Sequence, residues 1–183
     1  MVADMTKQPV DEHTLEAGLN AAGTFTWIPR LGCPSVAAVQ GHAYGAGLQL
    51  ALSCGFRVFA QSARVGLIET RFGIMPDMGA TVRLPRIIGE SRARELILLG
   101  DVIDASEARR IGLTNRVVDD ADLESAAAEF AARLAARPPP AIRGARKAID
   151  AAWYSNPEDS FKVAVEAQIV ASHPTTSRKP AKR

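Results

Sequence analysis

A chain of 183 residues, 47% of them apolar and with a formal net charge of +2, is long enough for one cored globular unit and too nearly neutral to make a general case for nucleic-acid binding. Its two cysteines, Cys33 and Cys54, form neither a CxxC nor a Cys/His pattern, which argues against a zinc site and reads as two buried thiols in a reducing compartment. No run reaches the ~20 apolar residues that span a bilayer and the acidic N-terminal stretch lacks a leader's apolar run, so the expectation is a soluble cytoplasmic protein with no membrane partner.

Residues 1–12 read as polar and loose. Leu15, Leu19, Ala22 and Trp27 then space as one face of an amphipathic helix ending before Pro29 or near Gly32. Val36–Val39 reads as a strand buried on both faces, 46–53 as a short helix, and Phe56–Ala60 as a second buried strand. Strand, helix, strand in that order implies a parallel pair with a right-handed crossover. The Gly45 turn then falls at the carboxyl end of its strand, where open α/β sheets bind ligands. Residues 63–68 read as another short strand, followed by a loop over 69–79 that carries Glu69. Helices follow near 79–88, 91–99 and 105–111, with a last short strand at Val117 and Val118. A helix over 123–136 is stopped by Pro138, Pro139 and Pro140. Residues 141–155 and 157–172 again have helical spacing, with apolar faces carried by Ile142, Ala145, Ala148 and Ile149 and by Phe161, Val165 and Ile169. Little sheet is left for them to cover, so these faces call for a partner. Arg178, Lys179, Lys182 and Arg183 read as a solvated basic tail.

Chemistry concentrates in two segments. In the first, 34–50, a strand pattern runs into Gly45-Ala46-Gly47 and opens a helix. Glycines there permit backbone angles closed to other residues and a close approach of ligand to main chain. The first N–H groups of the helix have no partner within it and would stabilise a developing negative charge, which makes half of an oxyanion site. A dinucleotide fingerprint would need glycine where Leu50 stands, and a P-loop would need Lys then Ser or Thr where Leu48 and Gln49 stand. The bland alternative is a close-packed corner without chemistry. His13, His42 and His173 are dispersed and no GxSxG elbow exists, so a serine-hydrolase triad is disfavoured. His42, the histidine nearest the turn, reads as a packed or turn residue, with a ligand contact as the alternative.

The second segment, 63–89, carries Gly66, Glu69, Gly73, Pro76, Asp77, Gly79, Arg83 and Gly89. Together with the first it resembles the enoyl-CoA hydratase/isomerase family, the crotonase superfamily, and the likeness continues through 93–100 and 105–118. The resemblance implies an α/β fold: a crotonase-like ββα spiral core, here lacking its first units, followed by C-terminal helices. It divides the chain into a partial core over 1–118, a helical oligomerisation region over 119–173 and the basic tail over 174–183. It further implies an acyl-CoA substrate, no cofactor beyond that coenzyme A thioester, no metal, and a homo-trimer or hexamer.

Family chemistry holds a thioester enolate oxygen between two backbone N–H groups while carboxylates move protons. One donor maps to Ala46; the other lies on an earlier loop with no counterpart in this chain. The catalytic positions map to Gln49, Glu69 and Asp77, and substrate-binding positions to Tyr44, Gly45, Gly47 and Met75. Hydratases of the family use two glutamates where this chain has Gln49 and Glu69. A glutamine amide orients water or a carbonyl but cannot act as a general base, so a single-carboxylate reaction such as isomerisation is favoured over hydration. Glu69, beside Leu67, Ile68 and Met75, is placed to shuttle a proton. Asp77 matches the aspartate of dienoyl-CoA isomerases, although Pro76-Asp77-x-Gly79 is also a common turn. The basic residues Arg133, Arg137, Arg143, Arg146 and Lys147 read as a solvated helix face or as a surface for the phosphates of coenzyme A. A truncated, catalytically weak homologue that binds acyl-CoA or assembles with a paralogue is the alternative.

Overall fold

The structure, a computed structural model, describes Glu16, Leu19, Asn20 and residues 23–172. The readings for residues 1–12, for Leu15 and Ala22, for His13 and His173, and for the tail lie outside the described residues. The chain divides into two compact units, Met1–Phe130 and Ala131–Arg183.

Ahead of the core, the expected helix does not continue to Pro29. The chain makes two 3-10 turns instead, Gly23–Phe25 and Ile28–Arg30, because glycine weakens a helix interior and Pro29 suits the start of a new turn. Ile28 is buried while Trp27 is exposed, so Trp27 does not share the buried face.

The core begins with β1 (Val36–Val39), β2 (His42–Tyr44), α1 (Ala46–Ser53), β3 (Phe56–Ala60) and β4 (Arg64–Gly66). Each consecutive strand pair sends its first member to one sheet and its second to the other. With β6 (Arg116–Val118), β1 and β3 form a parallel sheet in the order β1-β3-β6; with β5 (Val102–Asp104), β2 and β4 form a second in the order β2-β4-β5. Val36 lies opposite Phe56, and Tyr44 opposite Gly66. β5 joins antiparallel to β4. The parallel pairing of 36–39 with 56–60 is therefore as expected, but the Gly45 turn follows β2 in the second sheet rather than β1. Nor is β1 buried on both faces: among the described residues it pairs on one side only, Ala38 is exposed and Val39 alone is buried.

Phe59, Leu48, Leu67, Leu84 and Leu113 are fully buried and draw together β3, α1, the end of β4, α2 (Ala80–Ile88) and the segment leading to β6. Full burial of side chains this size stabilises by about 1.5–3 kcal/mol each. Arg57 of β3 is buried with no carboxylate partner among the described residues. Its Nε donates to the Leu113 carbonyl at 2.7 Å and its Nη1 to that of Cys54 at 2.9 Å, and burial pushes the guanidinium down from its usual value. Cys33 is exposed and Cys54 half-buried, contrary to the reading of two buried thiols; Cys33 lies in the loop before β1 and Cys54 caps α1.

α3 (Glu90–Leu99) follows α2 directly, and α4 (Ala105–Arg110) is capped by Asp104, whose Oδ1 accepts the Glu107 N–H at 2.8 Å. Leu123 of α5 (Leu123–Ala135) packs with Val58 and Ala60. In the second unit, α6 (Pro139–Tyr154) packs on α7 (Pro157–Ser172). Pro139 and Pro140 do more than end a helix: they fill the first turn of the next, where a missing N–H costs nothing. Gly144 lets α7 approach, since a Cβ there would stand 3.3 Å from the Ala167 carbonyl oxygen.

Candidate active site

The site is built on the corner where β2 becomes α1. Gly45 takes φ 52° and ψ −118°, and a Cβ at this position would stand 3.3 Å from Glu69 Oε1. Its N–H donates to the Gly66 carbonyl at 2.9 Å, extending the β2–β4 ladder, and its carbonyl accepts the Gln49 N–H at 3.0 Å, closing the first turn of the helix. The next N–H, that of Ala46, stands at the first helical position, and no acceptor for it is found among the described residues. Ala46 and Gly47 are both exposed.

Glu69 lies in a 3-10 turn, Ile68–Phe72, rather than in the open loop expected for it. Only 8% of it is exposed. Its Oε1 accepts from Gln49 Nε2 at 2.9 Å, and its Oε2 is buried with no hydrogen-bond partner among the described residues. Leaving a buried acceptor unpaired costs about 1–3 kcal/mol, and more for a charged group, which marks Oε2 as an atom in want of a partner.

Gln49, 2% exposed, is held at both ends of its amide. Its Oε1 accepts the backbone N–H of Met78 at 2.8 Å and that of Ala80 at 3.3 Å. The opposite amide orientation would turn donors onto donors and an acceptor onto a carboxylate, so the bonding pattern fixes which end faces Glu69. One turn on, Ser53 Oγ donates to the Gln49 carbonyl at 3.0 Å and accepts from Arg83 Nη1 at 2.6 Å. Gly45, Gln49 and Ser53 are four apart and so share one face of the helix, turned to Glu69 and to the start of α2.

Gly45, Gln49 and Glu69 therefore come together, with Ala46 adjacent. Tyr44 is half-buried at the end of β2, its ring 5.2 Å from that of His42, which is exposed in the same strand. Leu67 is buried and Ile68 half-buried beside Glu69, but Met75 is exposed. Asp77 is exposed in the turn between buried Pro76 and α2, and is tied to the site through its neighbour Met78. Ser53 and the N–H groups of Met78 and Ala80 were not singled out from sequence, and Arg83 was named only as part of the family-like segment. The four-residue spacing from Gly45 was the available signal for Ser53. No cluster of three or more His, Cys, Asp or Glu side chains suited to a metal occurs among the described residues. No helix among them is long and apolar enough to cross a membrane.

A lone carboxylate with one unpaired oxygen, packed against a glycine whose neighbour offers a free N–H, is equipped to move a proton beside a developing oxyanion. The sequence model of the enoyl-CoA hydratase/isomerase family matches residues 3–180. The chain is 38% identical over 158 residues, 86% of its own length and 52% of the relative's, to a probable mitochondrial enoyl-CoA hydratase 2 of Arabidopsis thaliana. Its fold is similar to that of an enoyl-CoA hydratase from Bacillus anthracis, with a TM-score of 0.83 and 37% identity, over 90% of this chain and 64% of that one. A protein from Thermobifida fusca YX in complex with acetoacetyl-CoA is similar at a TM-score of 0.84 and 34% identity, over 88% of this chain and 64% of that one. The chain spans about half the length of the curated relatives it matches.

Proposed function

The chain belongs to the enoyl-CoA hydratase/isomerase family, and on that premise we propose that it takes acyl-CoA thioesters and moves a proton on them with Glu69 through an enolate held at the Gly45–Ala46 corner. The observation that carries the reading is the Glu69 carboxylate: buried, packed on Gly45, one oxygen engaged by Gln49 and the other unpaired. The thioester oxygen lies against the Ala46 N–H. Glu69 takes a proton from the substrate carbon, the electron pair passes into the thioester enolate, and the negative charge forms where the helix N-terminus stabilises it. Returning the proton at the other end of the conjugated system shifts the double bond and restores the carboxylate.

Hydration would need a second group to take a proton from water while the first delivers one to carbon. Gln49 has no basic atom to give, and both lone pairs of its carbonyl oxygen are directed at Met78 and Ala80. A double-bond shift, or another enolate reaction served by one carboxylate, is favoured for that reason. The structure of the Thermobifida protein with acetoacetyl-CoA supports an acyl-CoA ligand for this chain by similarity.

Substitution of Glu69 by Gln keeps the shape and removes the base, so the rate on an enoyl-CoA is expected to fall at least ~100-fold, measured side by side for hydration and double-bond shift. A rate that survives Glu69→Gln overturns the reading. A second reading, acyl-CoA binding without turnover or assembly with a longer paralogue, is favoured by Gln49, whose amide is engaged by the Met78 and Ala80 N–H groups and supplies no second acid or base. It predicts calorimetric binding of an acyl-CoA with no product formed.

A further inference from the structure

Gln49 holds two elements at once. Its carbonyl oxygen takes the N–H groups of Met78 and Ala80, at 2.8 and 3.3 Å, and so fixes the turn that leads into α2. Its amide nitrogen donates to Glu69 Oε1 at 2.9 Å. With the oxygen's two lone pairs engaged, the amide cannot rotate to present a different atom to Glu69 without breaking three hydrogen bonds. A second tie between the same helices, Arg83 to Ser53 to the Gln49 carbonyl, holds the backbone that carries this side chain.

We propose that Gln49 is a positioning residue that yokes the Met78–Ala80 backbone to the Glu69 carboxylate and reserves Oε2 as the oxygen that moves the proton. The proposal rests on the reading of Glu69 as the proton-transfer group. A second carboxylate at position 49 would place two acids 2.9 Å apart, where both cannot be ionised, so the amide also keeps Glu69 free of a competitor for its proton. Orientation of water, the role open to a free glutamine amide, is closed to the carbonyl end of this one.

Three variants of the full chain separate the parts. Gln49→Met removes acceptor and donor together; Gln49→Glu keeps an oxygen for Met78 and Ala80 but replaces the amide donor with a second acid that shares a proton with Glu69; Glu69→Gln leaves the tie to Met78 and Ala80 in place. By amide hydrogen exchange, Met78 and Ala80 should exchange at least ~10-fold faster in Gln49→Met, with Val58 and Phe59 in β3 unchanged as the check on folding, and should keep native rates within about threefold in the other two. In turnover of an enoyl-CoA, Gln49→Met should lower kcat at least ~10-fold and change KM by less than about threefold, the split expected when the reacting group rather than the substrate is misplaced. Native exchange at Met78 and Ala80 in Gln49→Met overturns the proposal whatever the kinetics, and so does a raised KM with unchanged kcat. Should Gln49→Met fail to fold, Gln49→Glu decides: loss of protection at the two amides overturns the proposal and its retention upholds the tie. Full activity in Glu69→Gln would overturn the functional reading instead, a separate result that leaves the exchange measurement intact.

Discussion

At the level of single residues the site depends most on Gly45. Its φ of 52° with ψ of −118° lies outside the regions open to L-residues, and the space a methyl group would fill is taken by the Glu69 carboxylate at 3.3 Å. Gly45→Ala should therefore cost about 1–3 kcal/mol in urea unfolding and displace Glu69, lowering turnover as well. An alanine variant of native stability would show that the corner tolerates another backbone path. Sequence reasoning reached Gly45 from glycine spacing, and Gln49 and Glu69 from family likeness. It did not reach the hydrogen bond between Gln49 and Glu69, twenty residues apart, because that bond depends on how the end of β4 meets α1 and no local pattern encodes it. Nor did residue type alone separate Asp77, exposed in a turn, from Glu69, buried beside Gly45.

Between elements, much of the joinery is polar and lies in short connections. Asp120, in the 3-10 turn Asp120–Asp122 after β6, accepts from Gln40 Nε2 at 3.1 Å, from the Ser62 N–H at 3.0 Å and from the Ser62 hydroxyl, so one carboxylate ties the segments that follow β1, β3 and β6. The Ser62 hydroxyl above all, then Gln40 and the Ser62 backbone, hold its carboxyl below the ordinary range. A carboxyl lowered in the folded state contributes stability that is present above its unfolded value of about 3.9 and is lost as pH falls through its folded value. Asp120→Asn should accordingly melt below the native chain at neutral pH, and the gap should close as the pH is taken well under 4. A gap that stays constant with pH would mean that charge plays no part. Elements with long, regular patterns were legible: α1, β1, β3 and α7 fall within the ranges that periodicity gave. β2 and β5 were not, although β4 and β6 of the same length were: Gly41 and Gly45 make 41–45 read as a turn, and no pattern marks 102–104 between two helices. The two-sheet arrangement went unread with them.

For the whole molecule the open question is what covers its apolar faces. In the second unit Phe161, Val165 and Ile169, spaced four apart along α7, are 73%, 43% and 57% exposed, and Ile149 and Trp153 on α6 are 60% and 51% exposed. Periodicity made both helices legible but left the destination of these faces unassigned, because a helix buried in a core and one buried in an interface carry the same pattern. Full burial of each such side chain is worth about 1.5–3 kcal/mol, so stripes contributed by two copies reach the scale of the about 4–15 kcal/mol lost in association. In the first unit β1 adds an edge of unpaired backbone groups among the described residues, a further site for pairing between chains. We expect self-association at micromolar concentration: the exposed faces call for a partner, and the resemblance to the family implies that the assembly is a trimer or hexamer. Sedimentation velocity on the purified chain checks this directly, and Phe161→Glu combined with Ile169→Glu should move the boundary toward the monomer while circular dichroism keeps its helical signal. A native chain that sediments as a folded monomer would leave these side chains in water and refute the assembly. A double variant that still sediments with the native assembly would place the contact on other surfaces, with the β1 edge next to be tested.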